Sequence, residues 1–451
     1  MGLFGSALPD FPWDSLTPYA DRARAHPGGI VDLSVGTPVD PSPRGVRAAL
    51  EAASDSPGYP PTAGTPALRD AVVDWFARRR GVTGLTAGGV LPTVGSKELV
   101  ALLPSLLGLG PGDVVVHPSA AYPTYDVGAR LAGAAPVPSD DPASLLDADD
   151  AVRLVWLNSP ANPTGQVLDV AALAAVVAAA RRAQARHGHR VVVAADECYA
   201  ELAWERPWVD DGVPSLLDPR VNGGVSPGSP RKRGWSGACD GKAEEESSTG
   251  GAGPRRERLR AAAQSTCGEA VGNDDDNAAS VRTGPAAACG EPGDTPDLTG
   301  LLVVYSLSKQ SNLAGYRAAF VAGDERLVGE LLEVRKHAGF MVPGPVQAAM
   351  LAALGDDEHV ADQRERYARR RTALRQALEQ AGYVVDGSAA GLYLWARPVG
   401  GQGAWATVED LAGLGILVAP GVFYGDDVHV RVALTATDER VAQAVARLTG
   451  A

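Results

Sequence analysis

The residues best suited to covalent chemistry lie where an apolar run, Leu302-Val303-Val304-Tyr305, breaks into Ser306-Leu307-Ser308-Lys309. Arg317 follows eight residues after that lysine. Lysine is scarce in the chain: positions 97, 232, 242, 309 and 336 are the five lysines among 41 Lys and Arg residues. An amine condenses with a carbonyl to a Schiff base, which a guanidinium does not do. Lys309, just past a strand, is therefore a candidate for holding a carbonyl compound, against the plainer alternative of a surface lysine. Other chemistry-bearing residues stand in comparable places. Gly95-Ser96-Lys97 follows Val90–Val94, and a strand that turns through Gly-Ser into a helix offers free N–H groups and a positive dipole end to phosphate. Tyr122 follows Asp113–His117, Asn162 follows Val152–Leu157, and Asp196 and Tyr199 follow Arg190–Ala195.

The elements that must position these residues are near-continuous apolar strands separated by helical stretches, such as 169–186. That pattern marks a mostly parallel sheet covered on both faces. Ligands of such sheets sit beyond the carboxyl ends of the strands, where Gly95, Tyr122, Asn162, Asp196 and Lys309 all fall. Ile30–Val35 reads as a short strand ended by Gly36-Thr37-Pro38. The segment before it carries Phe4, Phe11, Trp13 and Tyr19 and reads as either a disordered tail or an arm that crosses to another subunit. After Arg317 come a strand at 318–322, helices over 325–382 interrupted at 339–345, and a mixed tail with half-exposed strands that suits a smaller α+β domain. Arg431 sits within one of those strands, Val428–Leu434, where an exposed strand position is the plain alternative.

At 451 residues the chain is long enough for two domains. Its 45% apolar and 21% charged content is ordinary for a globular protein. A net charge of −13 argues against nucleic acid as a partner. The four cysteines form no CxxC pair, so no metal is expected. Met1–Pro27 lacks the apolar core of a secretory signal and no run is long enough to span a membrane, so a cytoplasmic location is expected. Residues 223–297 mix Arg-Lys-Arg, Glu and Asp runs with Gly, Ser and Pro, and read as a flexible insertion with at most a short helix over 255–264.

Taken in order, Asn162-Pro163-Thr164-Gly165, Asp196 with Tyr199, Ser306-Leu307-Ser308-Lys309 with Arg317, and Arg431 resemble the fold-type-I aminotransferases of class I/II. The resemblance covers nearly the whole chain outside 223–297. It implies an α/β fold with a mostly parallel sheet and a smaller α+β domain: 1–43 as N-terminal arm and part of the small domain, 44–325 as the large domain, 326–451 as the rest of the small one. It implies pyridoxal 5′-phosphate as cofactor, with Lys309 as its Schiff-base lysine and proton shuttle. Asp196 is implied as partner of the ring nitrogen, Tyr199 and Asn162 as partners of the phenolic oxygen, and Tyr122 as the stacking ring. Gly95, Ser96, Lys97, Ser306, Ser308 and Arg317 would form the phosphate cup. Tyr59 would reach the phosphate in a neighbouring subunit, which implies a homodimer. Arg431 would bind the substrate α-carboxylate, and Gly36 would close over the substrate.

Phe11–Leu16, Leu33–Pro41, Ser308–Arg317 and Arg335–Gly339 look most like the actinobacterial succinyldiaminopimelate aminotransferases. That resemblance implies L-glutamate as donor and N-succinyl-2-amino-6-oxopimelate as acceptor, in lysine and diaminopimelate formation. Arg335 or Lys336 is then a candidate cation for a distal carboxylate. Alternatives are another aminotransferase of the class (aspartate, aromatic or acetylornithine type), a C–S lyase on the same scaffold, or a non-enzymatic sensing domain of a transcription regulator. The last lacks room for a DNA-binding domain ahead of the first strand.

Overall fold

The computed structural model describes residues 8, 9, 11–223 and 296–450. The expected insertion therefore lies outside the described residues except for its ends, as does the short helix expected over 255–264. Strand β1 (Val31–Asp32) is shorter than the sequence predicts and pairs in parallel with Ile416 and Leu417. The main sheet takes the next seven strands: β2 (Val90–Val94), β3 (Val114–His117), β4 (Ala135–Pro138), β5 (Val152–Asn158), β6 (Val192–Asp196), β7 (Leu301–Ser306) and β8 (Ala318–Gly323). They lie in the order β2-β8-β7-β6-β5-β3-β4, and β8 is antiparallel to both of its neighbours. The sequence gives no sign of β4. It carries Pro136 and Pro138 and sits at the sheet edge, where a missing N–H leaves one side of the ladder untouched.

Both faces of the sheet are buried, as apolar strands of this kind require. Val193, Val303 and Tyr305 face a core that includes Trp75 and Phe76. Val192, Leu302 and Val304 alternate to the other face, against Leu99, Leu103 and Leu331. The Ala-rich helix is Val170–His187, capped by the Asp169 carboxylate accepting from Ala172 N at 2.7 Å and closed by Gly188 at φ +70°. The long helical region divides into Glu325–Ala338, Gly344–Leu354 and Glu358–Gln380.

The C-terminal part adds β9 (Tyr383–Asp386), β10 (Tyr393–Pro398), β11 (Ile416–Leu417), β12 (Ala419–Pro420) and β13 (Val430–Ala433). Strands β12-β13-β10-β9 form an antiparallel sheet. Its core contains Leu394, Val418 and Val432 together with Leu16, Val31 and Leu33 from the N-terminal segment. That segment is helical over Pro12–Leu16 and Thr17–Arg24. Tyr19 stacks on Trp405 at 5.2 Å and Trp13 meets Phe423 at 5.2 Å. The described residues ahead of β1 are thus not a loose tail: they pack apolar side chains against their own chain. Among the described residues no helix is long and apolar enough to cross a membrane, and no cluster of metal-ligating side chains occurs.

Candidate active site

Because β8 is antiparallel to β7, its amino end lies on the rim formed by the carboxyl ends of β2, β5, β6 and β7. Register fixes the alignment: Asn158 lies opposite Asp196, Ser306 opposite Ala319, and Val94 opposite Ala318. Lys309 rides on the single helical turn Leu307–Gln310, which Ser306 caps by accepting from Ser308 N at 3.2 Å. The two hydroxyls, Ser306 and Ser308, are 2.8 Å apart. Lys309 Nζ donates to the carbonyl of Gly36, 273 residues away in the chain.

Asp196 keeps part of its surface open while protein encloses the rest. Its carboxylate accepts from Cys198 N at 3.1 Å and from the Tyr125 hydroxyl at 3.1 Å. Burial pushes its pKa up, against the pull of those bonds and of the Lys309 ammonium. The turn that follows is fastened by Glu197, which is buried and accepts from Arg80 at 2.9 Å and from Leu216 N at 2.7 Å. Cys198 is buried and its thiol is pushed well up, first by desolvation and then by Asp196, so it is a packed residue and not a nucleophile.

At the start of helix Ser96–Leu106, Gly95 has φ +77°, and a Cβ there would come within 2.1 Å of Arg317 Nη2. The guanidinium thus lies against the glycine backbone at a helix N-terminus. Its side-chain hydrogen bond is to the Ala314 carbonyl at 3.0 Å, and no described carboxylate neutralises it. A positive dipole end beside an uncompensated arginine fits a phosphate dianion. With an open buried carboxylate and a lysine nearby, the donor set fits pyridoxal 5′-phosphate: one charge for each of its phosphate, ring nitrogen and aldehyde ends.

Arg431, in β13, is 2% exposed and not the exposed strand residue that its surroundings in sequence allow. It donates to Asn162 Oδ1 at 3.0 Å and to the Ser34 carbonyl at 2.6 Å, while its Nε is buried without a partner. Its Cζ lies 4.1 Å from the ring centroid of Tyr393 and 4.8 Å from that of Tyr424. Tyr393 carries no role in the sequence expectations, yet it joins the parts. Its hydroxyl is 3.1 Å from the Tyr199 hydroxyl, and a Cβ at Gly36 would meet it at 2.1 Å. Burial raises a phenol's pKa, but Arg431 and Lys309 outweigh it and hold Tyr393 below its ordinary value. Burial and the neighbouring Tyr393 push Tyr199 well up. Tyr393 lies in the apolar strand Leu392–Ala396, where nothing in the local pattern marks it. Tyr125 and Glu197 likewise have no local signal.

Tyr122 sits beside Lys97, whose ammonium is 5.3 Å from the ring centroid. Tyr59 is 95% exposed, with no hydrogen bond or ring contact to a described residue. The structure does not bring it to the rest of the site within one chain. Nor does it bring Arg335 or Lys336. Arg335 is buried in a forked bond to Glu98 (2.8 and 3.2 Å), and exposed Lys336 pairs with Glu333 at 2.6 Å. Both charges are already engaged, which corrects the distal-carboxylate expectation for them.

The family model for "Aminotransferase class I and II" matches residues 29–224 and 274–448. The 4-dedimethylamino-4-oxo-anhydrotetracycline transaminase OxyQ of Streptomyces rimosus is 48% identical over 444 residues, covering 98% of this chain and 99% of its own. The probable aminotransferase Rv1178 of Mycobacterium tuberculosis is 49% identical over 453 residues, covering 99% of this chain and 87% of its own. A solved aminotransferase from Neisseria meningitidis superposes with a TM-score of 0.73 at 25% identity, covering 100% of this chain and 98% of that one.

Proposed function

This chain belongs to the class I and II aminotransferases, and on that premise we propose that it moves an amino group between L-glutamate and N-succinyl-2-amino-6-oxopimelate. The fold is that of the fold-type-I enzymes and the cofactor is pyridoxal 5′-phosphate. The proposal assigns the cofactor to the large domain, 44–325, and the substrate side to 1–43 and 326–451. When bound, the cofactor supplies an aldehyde carbon and an electron-withdrawing ring. Lys309 Nζ would hold that carbon, and its free amine would carry the proton between the substrate's Cα and the product side. Asp196 would accept a hydrogen bond from the protonated ring nitrogen. Gly95, Ser96, Ser306, Ser308 and Arg317 would hold the phosphate, and Tyr122 would stack on the ring. The Tyr393 and Tyr199 hydroxyls share a hydrogen bond at 3.1 Å, and that bond would hold the Tyr199 hydroxyl toward the cofactor's phenolic oxygen. Arg431, oriented by Asn162 and Ser34, forks onto the α-carboxylate. The donor's C–N bond breaks, the acceptor's forms, and no outside oxidant enters.

The observation that carries the reading is the single connected site from Lys309 through Gly36, Tyr393 and Tyr199 to Arg431. The choice of acceptor is supported by the sequence resemblance over 11–16, 33–41 and 308–317. Tyr59, exposed in one chain, is assigned to the neighbouring site of a homodimer, since a large exposed aromatic ring suits an interface.

A second reading follows from the 48% identity to a transaminase whose named acceptor is an oxo-anhydrotetracycline: the aromatic group around Tyr122 would receive a polycyclic ketone. Incubating the purified enzyme with L-glutamate and each acceptor in turn, and measuring 2-oxoglutarate, separates the two. Release with the oxopimelate alone supports the first reading, and release with the tetracycline ketone alone replaces it with the second.

A further inference from the structure

The helix Glu358–Gln380 turns a polar stripe inward. His359, Gln363 and Tyr367 recur every fourth residue, which puts them on one face, and Arg370 follows on the same side. Gln363, Tyr367 and Arg370 are buried. Buried polar groups take hydrogen-bond partners, and these take theirs from two stretches distant in sequence. One is Ser311-Asn312, just after Lys309. His359 Nε2 lies 2.8 Å from Ser311 Oγ, Gln363 Oε1 accepts from Asn312 Nδ2 at 2.9 Å, and the Tyr367 hydroxyl donates to Asn312 Oδ1 at 3.4 Å. The other is the segment after Gly36, where Gln363 Nε2 donates to Asp40 Oδ2 at 2.8 Å.

These bonds close a ring. Lys309 Nζ donates to the Gly36 carbonyl. From Gly36 the chain leads shortly to Asp40, and from Lys309 it leads shortly to Asn312. The Gln363 amide spans the two, its nitrogen on one and its oxygen on the other. Both halves of that amide are used and the side chain is 5% exposed, so it is not free to turn. Ser42 Oγ adds a bond to the Asn312 carbonyl at 3.1 Å. Asn312 itself has φ +55°, a conformation that glycine takes without steric cost and a residue with a side chain does not. The contacts of its amide are a reason for a side chain at that place.

We infer that Gln363 and Asn312 are positioning residues, which together set the Lys309 amine against the Gly36 carbonyl. This rests on the reading of Lys309 as the lysine that holds the cofactor. The lysine rides on a single helical turn, and one turn has little stability of its own. Its aim therefore depends on what holds the far end of that turn. The Gln363 amide ties that end to the same segment whose carbonyl the amine faces, so the two move as one piece. A displacement of about 1 Å at a reacting group costs up to about 100-fold in rate. Neither residue is among the cofactor or substrate contacts assigned above; both act through Lys309.

Two variants of the full chain test this. Gln363→Met keeps the side chain's length and removes both bonds, and Asn312→Gly keeps the backbone conformation and removes the amide. Two rates are read. One is the growth of the visible absorbance band when pyridoxal 5′-phosphate is added to cofactor-free enzyme, which reports attack by Lys309 and needs no substrate. The other is the L-glutamate half-reaction of the loaded enzyme, followed by loss of that band. Each variant is expected to lower the attachment rate and the maximal half-reaction rate about 10-fold, while the half-saturating L-glutamate concentration stays within about 2-fold. The double variant is expected to lose no more than about the larger single loss, because both changes cut one bond. Attachment and maximal rates within about 2-fold of wild type overturn the proposal, whatever the urea midpoint does, since a purely structural contact would move only stability. A loss confined to the half-saturating concentration overturns it as well. Failure of the underlying reading looks different: Lys309→Ala would then still develop the band.

Discussion

The two ends of the site are assembled in opposite ways. At the cofactor end, each residue is set by its own short stretch of chain: Ser306-Leu307-Ser308-Lys309 closes one strand, Asp196 ends another, and Gly95 opens a helix. At the substrate end, the neighbours come from far apart. Arg431 bonds the carbonyl of Ser34, 397 residues away, and Tyr393 packs against Gly36. The first end depends on sheet register and local caps. The second exists only when residues 11–43 are docked on the C-terminal sheet. Damage at the first should strike chemistry, and damage at the second should strike recognition and the docking itself.

Lys309→Ala gives the largest effect. It removes both the attachment point and the proton carrier, so kcat should fall by about 10⁴-fold or more, the upper range for an acid–base group. Arg431→Gln comes next, lowering kcat/KM for L-glutamate by about 10²–10³-fold through loss of a buried forked charge contact. If the loss fell on turnover at saturating substrate and not on KM, the division between the two ends would be wrong.

Asp40→Asn probes the docking. Asp40 accepts both arms of the Arg370 guanidinium, at 2.7 and 2.8 Å, and Gln363 at 2.8 Å, and so fixes the chain just after Gly36. Removing one partner of this buried pair should cost about 3 kcal/mol in urea unfolding at neutral pH. Burial pushes the Asp40 pKa up, but the bonds from Arg370 and Gln363 outweigh it and leave the carboxyl below its ordinary 3.8. A lowered pKa means stability that is complete above the ordinary value and is lost as pH falls through the folded one. The gap between wild type and variant should stay constant from about pH 6 to 8 and close below about pH 4. The smallest effect is Tyr393→Phe, which loses one hydrogen bond to Tyr199. It should lower kcat/KM about 10-fold and shift the pH at which the visible absorbance of the bound cofactor changes; a purely structural role would leave that pH unmoved.

The same contrast explains what sequence alone reveals. Strand ends and their following residues are local, so Lys309, Asp196, Asn162 and Gly95 stand out along with the parallel sheet that carries them. Strand β4 hides because its two prolines suit only an edge. Tyr393, Tyr125 and Trp13 hide because their roles depend on partners brought in from distant stretches, and in isolation each is simply an aromatic residue in an apolar setting. Arg335 misleads for the converse reason: its pairing with Glu98 is also long-range, so sequence shows a free cation where the fold makes a buried ion pair.

The most direct test of the account is to reduce the cofactor-loaded enzyme with borohydride, which makes the lysine–cofactor link permanent, and to locate the added mass by peptide mass spectrometry. The account predicts a single pyridoxyl group on Lys309. A group on Lys97 or Lys336, or no stable adduct at all, would contradict it.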